Sequence, residues 1–146
     1  DCYLNDPQAT DAAFGTDGYL SSGDIGFMDA ENYLFLIGRV DEVFNVGGEK
    51  VSPFEIESCL LNDPVVDACA IFPFEDERRG RLPFAYVVIS EKTTKKALNL
   101  RLKTELPPTK LPWRYYAVSH LPMTSSGKLK RNALSPDATC VIEEIH

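Results

Sequence analysis

Three short polar segments contain residue types that could bind a phosphorylated ligand. Asp24 follows Gly23, and its carboxylate could accept hydrogen bonds from the two hydroxyls of a ribose, although a Gly-Asp pair is also a common turn. Arg39 lies two residues before Asp41, so its guanidinium could pair with a phosphate or form an exposed salt bridge with that carboxylate. Lys128 follows Gly127 in the third segment. Each of these patterns is weak evidence when it is taken alone.

The segment before Lys128 superficially resembles a phosphate-binding loop. A Walker loop requires a glycine five residues before its Gly-Lys pair and a serine or threonine after it, whereas Pro122 and Leu129 stand at those positions here. The pattern therefore excludes a P-loop NTPase. It indicates a lysine at the end of a flexible Ser/Gly turn, which is a suitable place for a cation that must move onto a ligand.

Other kinds of site have little support in the sequence. The two histidines, His120 and His146, lie far apart, so a catalytic triad is not indicated. A net charge of −7 argues against a broad nucleic-acid or anionic-membrane surface, because such surfaces need clustered Lys and Arg. We therefore expect no nucleic-acid partner. We also expect no metal site, since the cysteines are scattered singly without a C-x-x-C pair, at Cys2, Cys59, Cys69 and Cys140.

Composition is that of a globular protein, with 44% hydrophobic and 25% charged residues among 146. No apolar run approaches the roughly 20 residues of a membrane-spanning helix, so no transmembrane segment is expected. The single cysteines favour the cytoplasm or another intracellular reducing compartment, such as the mitochondrial matrix. The chain begins with Asp1 rather than Met, which fits a fragment.

The elements that must position these residues begin with a polar segment. Residues 1–17 have no clear period and predict a surface loop. Two strand-like stretches follow at residues 19–21 and 33–37, separated by a glycine-containing turn at 22–26. Residues 29–32 supply another turn.

A hairpin and a helix are predicted after a turn-rich junction near Asp41. Gly47-Gly48 lies between β-prone arms, and both glycines can take the positive φ that a two-residue turn requires. Ser52, Pro53 and Glu55 then match an N-cap, a first helical position and a Ser-x-x-Glu capping box.

The remaining pattern alternates strands with one more helix. We predict strands over residues 65–72, 84–89 and 115–118, a charged loop over 75–81, a helix over 95–106 and a helical turn near 130–134. The order of elements predicts an α+β fold in which two helices cover one sheet.

Taken together, the three polar segments resemble the signature regions of the adenylate-forming superfamily, which includes acyl-CoA synthetases, luciferases and peptide-synthetase adenylation domains. The segments are DGYLSSGDIG at residues 17–26, GRVDEVFNVGGEKVSPFEIE at 38–57 and LPMTSSGKLKR at 121–131. Departures from the family pattern are small: Ser22 stands where threonine is usual, and Asn32 where glycine is common.

The resemblance implies a role for each residue named above. Asp24 should bind the ribose hydroxyls of ATP or AMP, and Arg39 should contact the ribose and phosphate. Asp41 should be the hinge about which the C-terminal domain turns. Lys128 should enter the site during adenylation, and the Gly47-Gly48 turn should line the path of the pantetheine of CoA.

The resemblance also implies the domain organisation. Residues 1–40 would end the large N-terminal domain, residues 41–134 would form the small C-terminal lid with a mixed sheet covered by helices, and residues 135–146 would be a tail. The N-terminal domain would be the missing partner that carries the acyl pocket. This fragment alone is therefore expected to be inactive, and it does not identify the acid.

The implied activity is that of an acyl-CoA synthetase, which activates a carboxylic acid with ATP and Mg²⁺ to acyl-AMP and then transfers the acyl group to CoA. Residues 45–53 resemble acyl-CoA synthetases more than peptide-synthetase adenylation domains. Two alternatives stay open. The chain could belong to an adenylation domain that loads a carrier protein, or to a nucleotide-binding module without catalysis.

Overall fold

The chain divides after Asp41 into two units, Asp1–Asp41 and Glu42–His146, which we call unit 1 and unit 2. The computed structural model describes residues 3–15 and 18–146. The predicted domain boundary lies between residues 40 and 41. No helix in the described part of the chain is both long and apolar enough to cross a membrane.

Unit 1 begins with a short helix, α1, over Pro7–Ala13. Asp6 caps it, since its Oδ1 accepts a hydrogen bond from Ala9 N at 2.9 Å, and Pro7 occupies the first turn. The prediction of a loop over residues 1–17 was therefore wrong for this segment. The remainder of that prediction at residues 1, 2, 16 and 17 lies outside the described residues.

An antiparallel strand pair completes unit 1, with β1 at Asp24–Met28 and β2 at Leu34–Arg39. The predicted turn at residues 29–32 is confirmed, because Asn32 has a φ of 66° and Asp29 accepts backbone hydrogen bonds across it. The predicted turn at 22–26 was wrong for residues 24–26, which belong to β1. A β-bulge lies within this stretch, between Ile25 and Gly26.

The first strand predicted in this region, at residues 19–21, was also wrong. Leu20 forms only an isolated antiparallel bridge with Phe14. The chain becomes a regular strand only from Asp24, where the backbone pairs with β2 over successive residues.

Unit 2 opens with the predicted hairpin, which is confirmed as β3 over Phe44–Val46 and β4 over Glu49–Val51. The helix that follows, α2, spans Pro53–Leu61. The capping box was wrong, because the side chain of Ser52 makes no capping hydrogen bond and the carboxylate of Glu55 binds Lys110 Nζ at 2.8 Å instead.

A mixed four-stranded sheet forms the centre of unit 2. Its strands lie in the order β5 (Val66–Asp76), β6 (Gly80–Ile89), β7 (Arg114–Val118) and β8 (Val141–Ile145). β6 and β7 are parallel, and the two outer pairs are antiparallel. The predicted charged loop at 75–81 is only a short turn, because β5 and β6 both extend into it.

Two further sequence predictions are corrected in unit 2. The segment called a tail, residues 135–146, contains β8, which forms an edge of the sheet. The second helix, α3, spans Lys95–Leu102 and ends before residue 106, although Leu106 is still buried. A 3₁₀ turn at Arg131–Ala133 confirms the helical turn predicted near residues 130–134.

The sheet is packed on both faces, because neighbouring residues of β6 point to opposite sides. Ala85 and Val87 join a cluster that includes Ile56 and Leu60 of α2. The opposite face carries a second cluster, which includes Phe84, Tyr86, Tyr116, Leu134 and the partly buried Leu129. The α+β fold with a mixed sheet covered by helices is thus confirmed, and the second cluster holds the segment that carries Lys128.

Candidate functional site

Arg39 holds two predicted site residues together in unit 1. It is the last residue of β2 and lies opposite Asp24, the first residue of β1. Its Nη1 donates to Asp24 Oδ1 at 3.2 Å, and its Nε donates to Asp41 Oδ1 at 2.9 Å. The salt bridge between Arg39 and Asp41 that the sequence suggested is therefore present, and Asp24 joins it.

Gly23 makes this close approach possible. Its φ is 74°, and a Cβ built on it would lie 3.2 Å from Nη2 of Arg39. The backbone reinforces the contact, since Val40 N donates to Gly23 O at 2.8 Å. The first signature segment begins at residue 17, which lies outside the described residues.

The ion pairs that Arg39 forms with Asp24 and Asp41 are exposed enough for a ligand to replace one of them. The Arg39 side chain is 46% exposed, and the side chains of Asp24 and Asp41 are 36% and 68% exposed. Exposed ion pairs of this kind contribute only about 0–1 kcal/mol. A phosphate or a ribose diol could therefore replace one partner at small cost.

Lys128 lies on a turn that its own segment braces. Thr124 N donates to Lys128 O at 2.7 Å, and Lys128 N donates back to Thr124 Oγ1 at 3.0 Å. Gly127 closes the turn with a φ of 77° and a hydrogen bond to Thr124 O. The lysine side chain is exposed and forms no ion pair within the part of the chain that the structure describes. The turn presents a free ammonium group on a fixed backbone.

The chain just after Lys128 is tied to the body of unit 2. Lys130 N donates to Pro122 O at 2.8 Å, which closes the base of the turn. Arg131 Nη1 donates to Glu57 Oε1 at 2.7 Å, and its Nε donates to Glu42 Oε1 at 3.1 Å. Arg131 ends the third signature segment, and no role was predicted for it.

The Gly47-Gly48 turn projects from hairpin β3–β4. Both glycines have positive φ, 58° and 95°, and a Cβ on either would meet nothing within 4 Å. Asn45 fixes the turn by accepting a hydrogen bond from Gly48 N at 2.7 Å. The carboxylate of Glu49 accepts a hydrogen bond from the hydroxyl of Thr109, which ties the hairpin to a 3₁₀ turn.

The described cysteines do not supply a nucleophile. Burial, followed by the neighbouring Glu105, raises the pKa of Cys59 to about 11, and burial raises the pKa of Cys69 to about 12. Both are thiols rather than thiolates at neutral pH. Cys140 is buried, and Cys2 lies outside the described residues. No group of three His, Cys, Asp or Glu side chains in the described chain is arranged to hold a metal ion.

The family model for the AMP-binding enzyme C-terminal domain matches residues 55–128, just over half of the 146 residues. The chain belongs to this family. The AMP-binding enzyme C-terminal domain thus accounts for most of unit 2, from α2 to Lys128 itself. This membership confirms the predicted adenylate-forming superfamily.

Relatives of the chain are CoA ligases. It is 36% identical over 136 residues to an oxalate–CoA ligase of Saccharomyces cerevisiae. That alignment covers 91% of this chain and 25% of the yeast protein. It is 34% identical over 134 residues to 4-coumarate–CoA ligase 1 of Petroselinum crispum, with 90% and 25% covered. The chain therefore spans about a quarter of the length of these two curated relatives.

Solved structures of a CoA synthetase also match the chain. The chain matches the o-succinylbenzoate CoA synthetase of Bacillus subtilis in complex with its acyl-adenylate intermediate, with a TM-score of 0.85 and 33% identity. That match covers 97% of this chain and 29% of the synthetase. The same synthetase in complex with ATP and a magnesium ion gives a TM-score of 0.78 and 34% identity over 89% of this chain and 27% of its own.

The structure thus divides the predicted site residues into three places. Asp24, Arg39 and Asp41 are in mutual contact in unit 1. The Gly47-Gly48 turn and Lys128 belong to unit 2, where the first joins β3 to β4 and the second lies between β7 and β8.

Proposed function

We propose that the chain is the C-terminal part of an AMP-forming acyl-CoA synthetase. The observation that carries this proposal is Lys128, an exposed ammonium without an acidic partner among the described residues, on a turn fixed by Thr124. It occurs in a member of a family whose relatives named above are CoA ligases.

In this proposal Asp24 and Arg39 bind the sugar and phosphate of the nucleotide. A carboxylate can accept two hydrogen bonds from a ribose diol, and a guanidinium can donate two to a phosphate. Both side chains are partly exposed, at adjacent strand ends, and the ion pairs that join them to each other and to Asp41 are weak surface pairs that a ligand can replace.

Lys128 would act in the first half-reaction, in which a carboxylate attacks the α-phosphate of ATP and pyrophosphate leaves. Negative charge then develops on the attacking oxygen, the phosphoryl group and the leaving group, and a positioned ammonium stabilises it. Loss of such a group costs about 3 kcal/mol or more, roughly a hundredfold in rate. We propose that Mg²⁺ binds together with ATP, and one solved neighbour contains both ATP and a magnesium ion.

The second half-reaction would use the Gly47-Gly48 turn. We propose that unit 2 turns about Asp41, which withdraws Lys128 and brings this turn to the acyl-adenylate. Hinge motions concentrate their change of dihedral angles in a few junction residues. A turn without side chains lets the thin pantetheine chain pass close to the backbone on its way to the acyl carbon.

The exposed apolar residues of β2 in unit 1 are an argument for a further domain in the complete protein. Its apolar residues from Leu34 to Ile37 are consecutive, and each of them is at least 40% exposed. A strand with apolar residues on both faces is typical of one that is covered on both faces. We propose that the large N-terminal domain, absent here, covers it and supplies the acyl pocket.

The experiment that tests this function uses the full-length protein with ATP and a panel of acids: oxalate, succinylbenzoate, coumarate, acetate and long-chain fatty acids. We expect AMP release that requires both CoA and one class of acid, measured by chromatography of the nucleotides. Adenylate formation without a response to CoA would support loading of a carrier protein instead. An absence of ATP turnover with every acid, in protein that still binds ATP, would leave the non-catalytic module.

A further inference from the structure

We propose that Arg131 is a positioning residue for Lys128, because it fastens the segment that carries the lysine to Glu42 and Glu57. The inference rests on the proposed function, in which Lys128 acts in the first half-reaction. Arg131 itself would touch neither the nucleotide nor the acid.

The guanidinium of Arg131 binds three separate parts of unit 2. Its Nη1 donates to Glu57 Oε1 at 2.7 Å and to the carbonyl of Ile71 at 3.0 Å, and its Nη2 lies 3.3 Å from Glu57 Oε2. Its Nε donates to Glu42 Oε1 at 3.1 Å. Helix α2, strand β5 and the first residue of unit 2 therefore meet at one side chain.

The group is better protected from water than most ion pairs in the described chain. The side chains of Arg131, Glu57 and Glu42 are 23%, 14% and 30% exposed, whereas both partners of the Arg81–Glu75 pair are more than half exposed. Glu57 Oε1 is fixed further, because Ile71 N donates to it at 2.8 Å. Charge pairs that are shielded and share further hydrogen bonds hold their geometry better than exposed ones.

Arg131 keeps its charge in this setting. Burial by itself lowers its pKa, but the hydrogen bonds and the negative charges of Glu57 and Glu42 outweigh burial and raise the pKa above its ordinary value. Both carboxylates pair with the guanidinium of Arg131, so removal of Arg131 would take this positive charge away from both.

The connection from Arg131 to Lys128 is short and braced. Only two residues separate them. Leu129 packs against the second core cluster and bridges to Met123, and Lys130 N is held by Pro122 O. Since an extended residue spans at most about 3.6 Å, a fixed Arg131 limits the positions available to the lysine backbone. A misplacement of about 1 Å in a reacting group can cost as much as a hundredfold in rate.

The ion pair between Arg131 and Glu42 also lies next to the proposed hinge in the sequence. It follows Asp41, the residue about which we propose that unit 2 turns. The Arg131–Glu42 contact therefore links the pivot directly to the segment with Lys128. Lysine placement after each turn would then depend on this ion pair rather than on the flexibility of a long loop.

The test measures the two half-reactions separately in the full-length protein, with acyl-adenylate formation in one assay and acyl-CoA formation from supplied acyl-adenylate in the other. Glu42→Gln removes the ion pair with Arg131 Nε and keeps the Arg131–Glu57 pair. Arg131→Lys keeps the positive charge but loses the guanidinium, which donates to both carboxylates. The matched controls are Glu144→Gln and Arg114→Lys, from a pair at 2.7 Å with side chains 27% and 45% exposed.

We expect Glu42→Gln to slow adenylate formation about threefold to tenfold, and Arg131→Lys about tenfold, with the KM values for ATP and acid little changed. Acyl-CoA formation from supplied adenylate should stay within twofold, and both controls should keep both rates. Equal losses in the two half-reactions, or no loss of adenylate formation, would overturn the inference, because a merely structural role predicts one of those results.

Amide hydrogen exchange supplies a readout that does not depend on turnover. Glu42→Gln should raise exchange in a peptide covering residues 122–131 and leave a peptide covering 44–51 unchanged. Unchanged exchange in the first peptide would overturn the positioning role even in an active enzyme. Wild-type protein that forms no adenylate with any acid would refute the proposed function, whereas the exchange result would still decide whether Arg131 and Glu42 hold the lysine segment.

Discussion

The two turns of unit 2 that carry predicted site residues are built in opposite ways. The Gly47-Gly48 turn has no side chain at its tip, and open space surrounds both glycines. The turn at residues 124–128 ends in a long cationic side chain and is braced by the hydroxyl of Thr124. Each is fixed by hydrogen bonds at its base, so neither is simply a loose loop.

Under the proposed function, this difference would let one small domain serve two half-reactions. A turn without side chains leaves room for the pantetheine chain to pass close to the backbone. A lysine on a braced turn, in contrast, would place its ammonium group at a defined point. Because the two features occupy different connections of the same unit, the proposed turning of that unit exchanges one for the other. The account therefore predicts that damage to each turn affects a different half-reaction.

The largest expected effect comes from Lys128→Ala. Loss of the ammonium should slow formation of the acyl-adenylate at least a hundredfold, which corresponds to about 3 kcal/mol in the barrier. Release of pyrophosphate in a single turnover measures this step. Lys130→Ala is the matched control, since it removes a second exposed lysine from the same segment and should keep the rate. A similar loss in both variants would contradict a specific role for Lys128.

Gly48→Ala should have the next largest effect, on the opposite half-reaction. The φ of Gly48 is 95°, so any side chain there is strained by about 1–3 kcal/mol and also narrows the path along the turn. We expect acyl-CoA formation from supplied adenylate to fall about tenfold, while adenylate formation is unchanged.

The control for this prediction is Gly80→Ala, at the first residue of β6, just after the turn from β5. Gly80 also has a positive φ, 73°, with no atom near its would-be Cβ. It should lower the melting temperature by a similar amount and keep both half-reactions. If Gly80→Ala slowed thioester formation as much as Gly48→Ala, strain alone would explain the result and the pantetheine path would lose its support.

Thr124→Val should have the smallest effect and should sharpen the comparison. The substitution keeps the shape of the side chain but removes the acceptor for Lys128 N, a bond of 3.0 Å whose net contribution is about 1 kcal/mol. We expect adenylate formation to slow roughly fivefold, with thioester formation unchanged. Ser126→Ala, which alters only a neighbouring hydroxyl contact at 2.9 Å, should change neither rate by more than about twofold.

Local signals in the sequence were sufficient for parts of this architecture. The Gly47-Gly48 hairpin was predicted because adjacent residues determine a two-residue turn. The helix after Ser52 was predicted because Pro53 suits a first helical position, and Ile56 and Leu60 of that helix are buried. Helix α1 was missed although Asp6 and Pro7 mark its start, because it is seven residues long and buries none of them.

Long-range contacts account for most of the errors. Strand β8 was missed because it is defined by antiparallel pairing with β7 rather than by a turn signal of its own. The Arg131 network could not be predicted, since Glu57 and Glu42 lie 74 and 89 residues away in the chain. The contact of Asp24 with Arg39 likewise depends on the register of β1 and β2, which a bulge shifts by one residue.

The most direct test of the central claim is the second half-reaction of the Lys128→Ala variant in the full-length protein. Purified acyl-adenylate and CoA are mixed with the enzyme, and acyl-CoA is quantified in a single turnover. The account predicts a rate within about twofold of wild type, although the same variant is nearly inactive in forming adenylate. A loss of both half-reactions to the same extent, in protein that remains folded, would contradict the claim that the two turns serve separate steps.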